Sequence, residues 1–195
     1  MRVIIKNIYW LWARLTYRIK INGKENIPKE GAVLICPNHI HALDSTFIMA
    51  SAKRKINVLA KDNLFKSFIG RWFAKTFGIY SVKQNSADID AIKTSLRILK
   101  NKELLMIFPE GTRNGMEKGL PIKNGPILIA IKSNTPIIPV GIKGTFKIFS
   151  KVEINIGKPI YYNEYKEQTK DKAIINELTQ NLMEEIVKLR DKNIF

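Results

Sequence analysis

Short apolar runs recur along the chain, and each has the length of one strand buried on both faces of a sheet. They lie at residues 31–36, 56–60, 79–82, 104–108, 137–142 and 152–156. Elsewhere the apolar residues follow helical spacing: after Ser86, after Pro126, and over 172–192. Strands that alternate with helices predict an α/β fold, with a mostly parallel sheet flanked by helices. The length of 195 residues suits one domain.

The first 20 residues predict an amphipathic helix ahead of a main domain over 21–195. One predicted face is apolar and holds Ile4, Ile5, Ile8, Leu11, Trp12, Leu15 and Ile19. The opposite face is basic and aromatic, with Arg2, Lys6, Arg14, Arg18, Lys20, Tyr9, Trp10 and Tyr17. This composition is typical of an interfacial helix that lies in the headgroup region of a membrane. The alternative is a helix packed on the protein's own core.

The formal net charge of +16 requires an anionic partner, which is either nucleic acid, an anionic membrane or a phosphorylated substrate. A second basic and aromatic segment at 64–77 favours the membrane, and no nucleic-acid-binding motif is present. No apolar stretch is long enough to span a bilayer. We therefore expect a peripheral or monotopic protein on the cytoplasmic face of the cell membrane, with an anionic membrane surface as partner and no nucleic acid.

The two histidines, His39 and His41, both follow the first apolar run directly. Loops at the carboxyl ends of parallel strands are where α/β proteins place their sites. Asp44 lies five residues after His39 and can fold back onto the imidazole if the chain turns into a helix. A carboxylate in that position orients a histidine that acts as a general base. The alternative is that Asp44 only caps a helix and that His39 is a surface residue.

A second polar motif, Phe-Pro-Glu-Gly-Thr-Arg at 108–113, also follows an apolar run. Arg113 carries a planar guanidinium that can bind phosphate through two hydrogen bonds. Gly111 permits a tight turn, and Glu110 is suited to position Arg113 or to bind a substrate hydroxyl. An ordinary polar turn is the alternative. Cys36, the single cysteine, lies at the end of an apolar run and is expected to be buried rather than nucleophilic.

Together these motifs resemble the 1-acylglycerol-3-phosphate acyltransferases, a family of glycerolipid acyltransferases, over roughly residues 20–160. The family's first motif matches Asn38, His39 and Asp44, and its third matches 108–113 without a change. Its fourth motif resembles the proline-containing run at 136–141. The second motif departs from the family, because Gln84 stands where the family has a phosphate-binding arginine, with Lys83 just before it.

The resemblance implies transfer of a fatty acyl group from acyl-CoA or acyl carrier protein to the sn-2 hydroxyl of lysophosphatidate. His39 would be the base and Asp44 its orienting carboxylate. Glu110, Gly111, Thr112, Arg113 and Lys83 would bind the acceptor lysophospholipid. No cofactor and no metal are expected.

Two alternatives stay open at this point. The first is the same chemistry on another acceptor, such as a different lysophospholipid, glycerol 3-phosphate or an aminolipid, and Gln84 keeps it open. The second is a basic protein without catalytic activity that binds membranes or nucleic acid. This second alternative predicts salt-sensitive binding to polyanions and no thioester turnover.

Overall fold

A computed structural model describes residues 2–61, 67–68, 71–72, 74, 79–82 and 87–192. Seven strands in these residues form one sheet, in the order β1-β7-β6-β2-β5-β3-β4. The strands are β1 (Arg18–Asn22), β2 (Val33–Pro37), β3 (Ile56–Lys61), β4 (Ile79–Val82), β5 (Leu104–Met106), β6 (Ile137–Gly144) and β7 (Lys151–Ile156). The five strands from β6 to β4 are parallel, and β7 is antiparallel to β6. The predicted α/β fold with a mostly parallel sheet is confirmed.

Helices cover both faces of the sheet. They are α1 (Arg2–Thr16), α2 (Asp44–Ser51), α3 (Ala87–Lys100), α4 (Gly125–Ser133) and α5 (Lys172–Asp191). Short 3-10 helices lie at Lys24–Asn26 and Asn163–Gln168. In β2, Val33 and Ile35 pack with α1 and α2, whereas Leu34 and Cys36 pack with α3, α4 and α5. This alternation explains the unbroken apolar run, because a strand covered on both faces has no solvent side.

The predicted N-terminal helix over residues 1–20 is too long. It ends at Thr16, and Arg18–Asn22 form the edge strand β1, parallel to β7. Ile19 and Ile21 alternate with exposed polar residues and pack against the core, as period-two spacing requires in a half-buried strand. Strand pairing with a segment some 130 residues away overrides the local helical pattern.

The opposite face of α1, predicted to be basic and aromatic, differs from the expectation. Tyr9 and Trp10, assigned to the basic face, pack against the core, and Tyr17, just beyond the helix, is buried there. The Tyr9 and Thr46 hydroxyl oxygens are 2.6 Å apart, and burial raises the pKa of Tyr9 to about 12. The aromatic residues therefore attach α1 to α2. The predicted apolar face points outward rather than toward the core, through Ile4, Ile8, Leu11, Trp12 and Leu15, which is the orientation expected of an interfacial helix.

Candidate active site

The site begins where β2 ends, at Asn38. Its backbone N–H donates to the Val140 carbonyl (3.3 Å), which continues the pairing of β2 with β6. Its side-chain amide then donates to the carbonyl of Ile142 (2.9 Å) and accepts from the N–H of the same residue (2.6 Å). Asn38 is buried, and these bonds satisfy both polar groups of Ile142 beyond the end of β2. The backbone that leads into His39 is thereby anchored to β6.

Asp44, the first residue of α2, closes the loop that follows. One carboxylate oxygen, Oδ2, accepts from His39 Nδ1 (2.9 Å) and from the backbone N–H groups of Ile40 (2.7 Å) and His41 (2.8 Å). The side chain of Asp44 is fully buried. The predicted fold-back of Asp44 onto His39 is therefore present, and it is accomplished by a turn that enters a helix.

The Asp44 contact determines which nitrogen of His39 is available for chemistry. A carboxylate only accepts hydrogen bonds, so Nδ1 carries the proton and Nε2 carries the lone pair. The imidazole stacks on Phe108, with ring centroids 3.9 Å apart and planes inclined by 23°. The side chain of His39 is 20% exposed. The ring is thus held by two contacts while a substrate can still reach it.

His41 has the opposite tautomer to His39. Its Nδ1 accepts from the backbone N–H of Leu43 (3.3 Å), which places the ring proton on Nε2. The ring stacks on Phe146, with centroids 4.4 Å apart. The structure therefore favours His39 over His41 as the base. Cys36 is fully buried, and burial raises the pKa of its thiol, so it is unsuited to be a nucleophile.

Glu110 joins the loop after β5 to the loop after β2. Its Oε1 accepts from the backbone N–H of His39 (2.8 Å), and its Oε2 accepts from the backbone N–H of Met116 (2.9 Å). In return, the Asn114 N–H donates to the His39 carbonyl (2.6 Å). Glu110 is only 5% exposed. These contacts hold the two motifs together, while a role for Glu110 in substrate binding stays a prediction.

The rest of the Phe-Pro-Glu-Gly-Thr-Arg motif, residues 111–113, lies at or near the surface. Gly111 has φ 67, a left-handed conformation that glycine adopts without strain. Thr112 is half-buried and Arg113 is exposed. Lys123, also exposed, is held beside this loop because its N–H donates to the Pro109 carbonyl (2.9 Å). Two cations therefore border the loop that contacts His39.

Some sequence predictions lie outside the described residues. These include Lys83 and Gln84, Ser86, after which helical spacing begins, and most of the basic and aromatic segment over 64–77. The sequence patterns did not reveal the ring contact of Phe108 with His39 or that of Phe146 with His41. Phe108 ends an apolar run and so resembles the last residue of a buried strand. Its place just before the Pro-Glu-Gly turn was the available signal.

Replacing Glu110 by glutamine is expected to loosen the site. A carboxamide has one acceptor oxygen, so either the His39 or the Met116 N–H would face an NH₂ group. A buried donor left without a partner costs about 1–3 kcal/mol of unfolding free energy. Urea denaturation should detect this loss, and kcat should fall because the backbone of His39 loses its support. Glu117→Gln, an exposed residue on the same loop, is the control; equal effects of both substitutions would contradict the clamping role.

Comparisons with known proteins agree with the geometry. The sequence model of the Acyltransferase family matches residues 18–143. A 1-acyl-sn-glycerol-3-phosphate acyltransferase of Borreliella burgdorferi is 32% identical over 83% of this chain, and the match spans 64% of that protein's length. A protein of the same name from Bacillus subtilis is 28% identical, and the match spans 89% of both chains.

The fold also has a counterpart among solved structures. The crystal structure of PlsC, a 1-acyl-sn-glycerophosphate (LPA) acyltransferase from Thermotoga maritima, superposes with a TM-score of 0.70. Sequence identity to it is 23%, and the superposition covers 100% of this chain and 80% of that one. At this identity the likeness concerns the fold.

Proposed function

Because this chain belongs to the Acyltransferase family, we propose that it transfers a fatty acyl group from an acyl thioester to the sn-2 hydroxyl of lysophosphatidate, giving phosphatidate. The observation that carries the proposal is the hydrogen bond between His39 Nδ1 and Asp44, which leaves His39 Nε2 as a base at the carboxyl edge of the sheet. The relatives from Borreliella and Bacillus, both named for this acceptor, support the choice of lysophosphatidate.

In the proposed mechanism, His39 Nε2 takes the proton of the acceptor hydroxyl as its oxygen attacks the thioester carbonyl. Asp44 stabilises the imidazolium that forms, since Nδ1 keeps its proton and its hydrogen bond. The tetrahedral intermediate then collapses: the C–S bond breaks, and the imidazolium returns the proton to the leaving thiolate. No acyl-enzyme is required, in keeping with the burial of Cys36.

The acceptor's phosphate is proposed to bind at the loop that Glu110 holds against His39. Arg113 is exposed on this loop and Lys123 lies beside it, so both can supply positive charge close to the base. Gly111, Thr112 and Lys83 belong to the same proposed acceptor site. The donor is acyl-CoA or acyl carrier protein, and both are anionic partners suited to a chain of net charge +16.

Replacing Arg113 by lysine is expected to raise KM for lysophosphatidate about tenfold, the equivalent of roughly 1.4 kcal/mol. Lysine keeps the charge but loses the planar fork that binds two phosphate oxygens at once. The value of kcat should change little, because His39 and Asp44 are intact. Steady-state kinetics with varied lysophosphatidate provide the measurement. Arg97→Lys, in the last turn of α3, is the matched control, and an unchanged KM in Arg113→Lys would remove Arg113 from the acceptor site.

The enzyme is proposed to work at the cytoplasmic surface of an anionic membrane, as a peripheral or monotopic protein. None of the described helices is long and apolar enough to cross a bilayer. The support for membrane contact is the outward face of α1, where Ile4, Ile8, Leu11 and Leu15 are each more than 60% exposed. A solvent-facing stripe of this kind is typical of an interfacial helix.

The test of the proposed function is acyl transfer from long-chain acyl-CoA, and separately from acyl carrier protein, to lysophosphatidate in anionic vesicles. Formation of phosphatidate with either donor is the expected result. Parallel reactions with glycerol 3-phosphate, other lysophospholipids and an aminolipid test the remaining acceptors. If one of those acceptors is acylated and lysophosphatidate is not, the proposed acceptor head group is wrong. Inactivity with every donor and acceptor would favour a binding protein without catalytic activity.

A further inference from the structure

The loop between β6 and β7, residues 145–150, has one aromatic side chain directed inward and two apolar side chains directed outward. Phe146 stacks on His41 and also on Phe47, with ring centroids 4.4 and 5.8 Å apart. By contrast, Ile148 is 69% exposed and Phe149 is 72% exposed. These two adjacent large apolar side chains are therefore mostly exposed to solvent, and the other residues of the loop do not cover them.

The backbone of this loop is held beside the N-terminal helix. The N–H of Phe149 donates to the carbonyl of Thr16, the last residue of α1, at 2.7 Å. The Arg18 N–H donates to the Ser150 carbonyl at 2.9 Å. The exposed stripe of α1 runs as far as Leu15, one residue before Thr16. The loop that carries the outward apolar pair therefore lies beside the C-terminal end of α1, next to the last residue of its exposed stripe.

The Phe149 conformation is itself unfavourable. Its φ is 61, in the left-handed region that bulky side chains rarely adopt. Phe146 in the same loop also has a positive φ, of 53, but its ring packs inward against His41. The feature of Phe149 that calls for a binding partner is therefore its exposed ring rather than its backbone conformation.

The charges around this surface indicate the chemistry of that partner. Residues 1–24 contain six lysines and arginines and no acidic residue, and residues 141–152 contain three lysines and no acidic residue. Lys147 lies between Phe146 and Ile148 and is exposed. Exposed apolar side chains on segments whose charged residues are all cationic match a bilayer whose surface is anionic and whose interior is apolar.

From these observations we infer that the β6–β7 loop is a second membrane contact, in which Ile148 and Phe149 enter an anionic bilayer beside α1. This inference rests on the membrane contact proposed for α1 and extends it to a separate part of the chain. The loop leads directly into the site, because Phe146 stacks on His41, two residues from His39. Membrane contact at the loop would therefore place the base at the bilayer surface, where a lysophospholipid acceptor resides.

A fluorescent label at position 149 tests the inference directly. Cys36 is the only native cysteine and is fully buried, so a Phe149→Cys variant can be labelled selectively with an environment-sensitive dye. Tyr161→Cys is the matched control. Tyr161 is 62% exposed, and it follows Ile160, which pairs with Ile137 at the opposite end of β6. With vesicles of phosphatidylglycerol and phosphatidylcholine, the dye at position 149 should brighten and shift to the blue, while the dye at 161 should not change.

A second variant measures how much the loop contributes. In Ile148→Ser/Phe149→Ser, the vesicle partition coefficient should fall at least about tenfold, because each large apolar side chain removed from water contributes strongly to binding. Tyr161→Ser should bind as the wild type does. Circular dichroism verifies that each variant is folded.

The outcomes separate the loop from α1 and from catalysis. If the wild type sediments with anionic vesicles but the dye at position 149 does not respond, the loop inference is overturned and the α1 contact stands. An equal response with phosphatidylcholine alone would overturn the proposed role of anionic lipid. If the wild type does not sediment at all, both membrane contacts are overturned. None of these readouts needs turnover, so acyl transfer to dispersed lysophosphatidate reports on the proposed function independently.

Discussion

His39→Ala is expected to lower kcat for acyl transfer to lysophosphatidate by about 10²–10⁴, the usual contribution of a positioned general base. The substitution removes Nε2, the one nitrogen that the Asp44 hydrogen bond leaves with a free lone pair. Attack on the thioester would then depend on a neutral hydroxyl or on solvent as the base. The measurement is phosphatidate formation at saturating donor and acceptor, compared with that of the wild type.

His41→Ala is the matched control for this experiment. It removes an imidazole two residues away that also stacks on a phenylalanine, yet its Nδ1 already accepts a backbone hydrogen bond. We expect a reduction of only a few fold, from the altered packing of the loop. Full activity in a folded His39→Ala protein would eliminate His39 as the base. If His41→Ala lowers kcat as much as His39→Ala does, the assignment of His39 rather than His41 as the base is contradicted.

Asp44→Asn is expected to lower kcat by up to about 10⁴, the effect known for loss of the orienting carboxylate in a Ser-His-Asp triad. The amide oxygen of asparagine can take the place of Oδ2 and accept from His39 Nδ1 and the two backbone N–H groups. The negative charge that stabilises the imidazolium is lost. If the amide flips, its NH₂ faces Nδ1 and favours the wrong tautomer of His39.

The same substitution should also reduce stability moderately. Asp44 Oδ1 is buried and has no hydrogen-bond partner within the described part of the chain. An amide NH₂ in that position would be a buried donor without an acceptor, at a cost of about 1–3 kcal/mol. Urea unfolding measures this loss of stability, and kinetics well below the transition measure catalysis. If the stability falls as expected while kcat stays within a few fold of the wild type, Asp44 only caps the loop and α2.

The proposed catalytic pair and the parallel sheet could be predicted from the sequence because both depend on local pattern. The central parallel strands β2, β5 and β6 are covered on two faces and so appear as unbroken apolar runs. Functional sites of parallel α/β sheets lie at the carboxyl ends of the strands. His39 and Glu110 each follow the carboxyl end of an apolar run. The turn that brings Asp44 to His39 spans five residues, so its geometry was also within the reach of sequence reasoning.

The N-terminal segment was predicted less accurately, for a physical reason. Residues 18–20 fit a helical wheel, yet they form β1 because β7 offers an open edge with which they can pair. The face of α1 that packs on the domain was likewise decided by its neighbours. Tyr9 reaches Thr46 on α2, so the aromatic side is buried and the aliphatic stripe faces outward. The spacing of apolar residues along a helix distinguishes two faces but does not identify what covers each one.

The sequence by itself therefore determined the fold class and indicated the two loops of the proposed site, and the structure then chose the His39–Asp44 contact over the alternative that Asp44 only caps a helix. Only the tertiary structure decided that Glu110 holds the backbone of His39, 71 residues away, and that Phe149 lies beside the end of α1. Local propensity, periodicity and short turns act over a few residues and leave a pattern in the chain. Contacts between distant segments depend on strand order and on which loops become neighbours, and no local pattern encodes them.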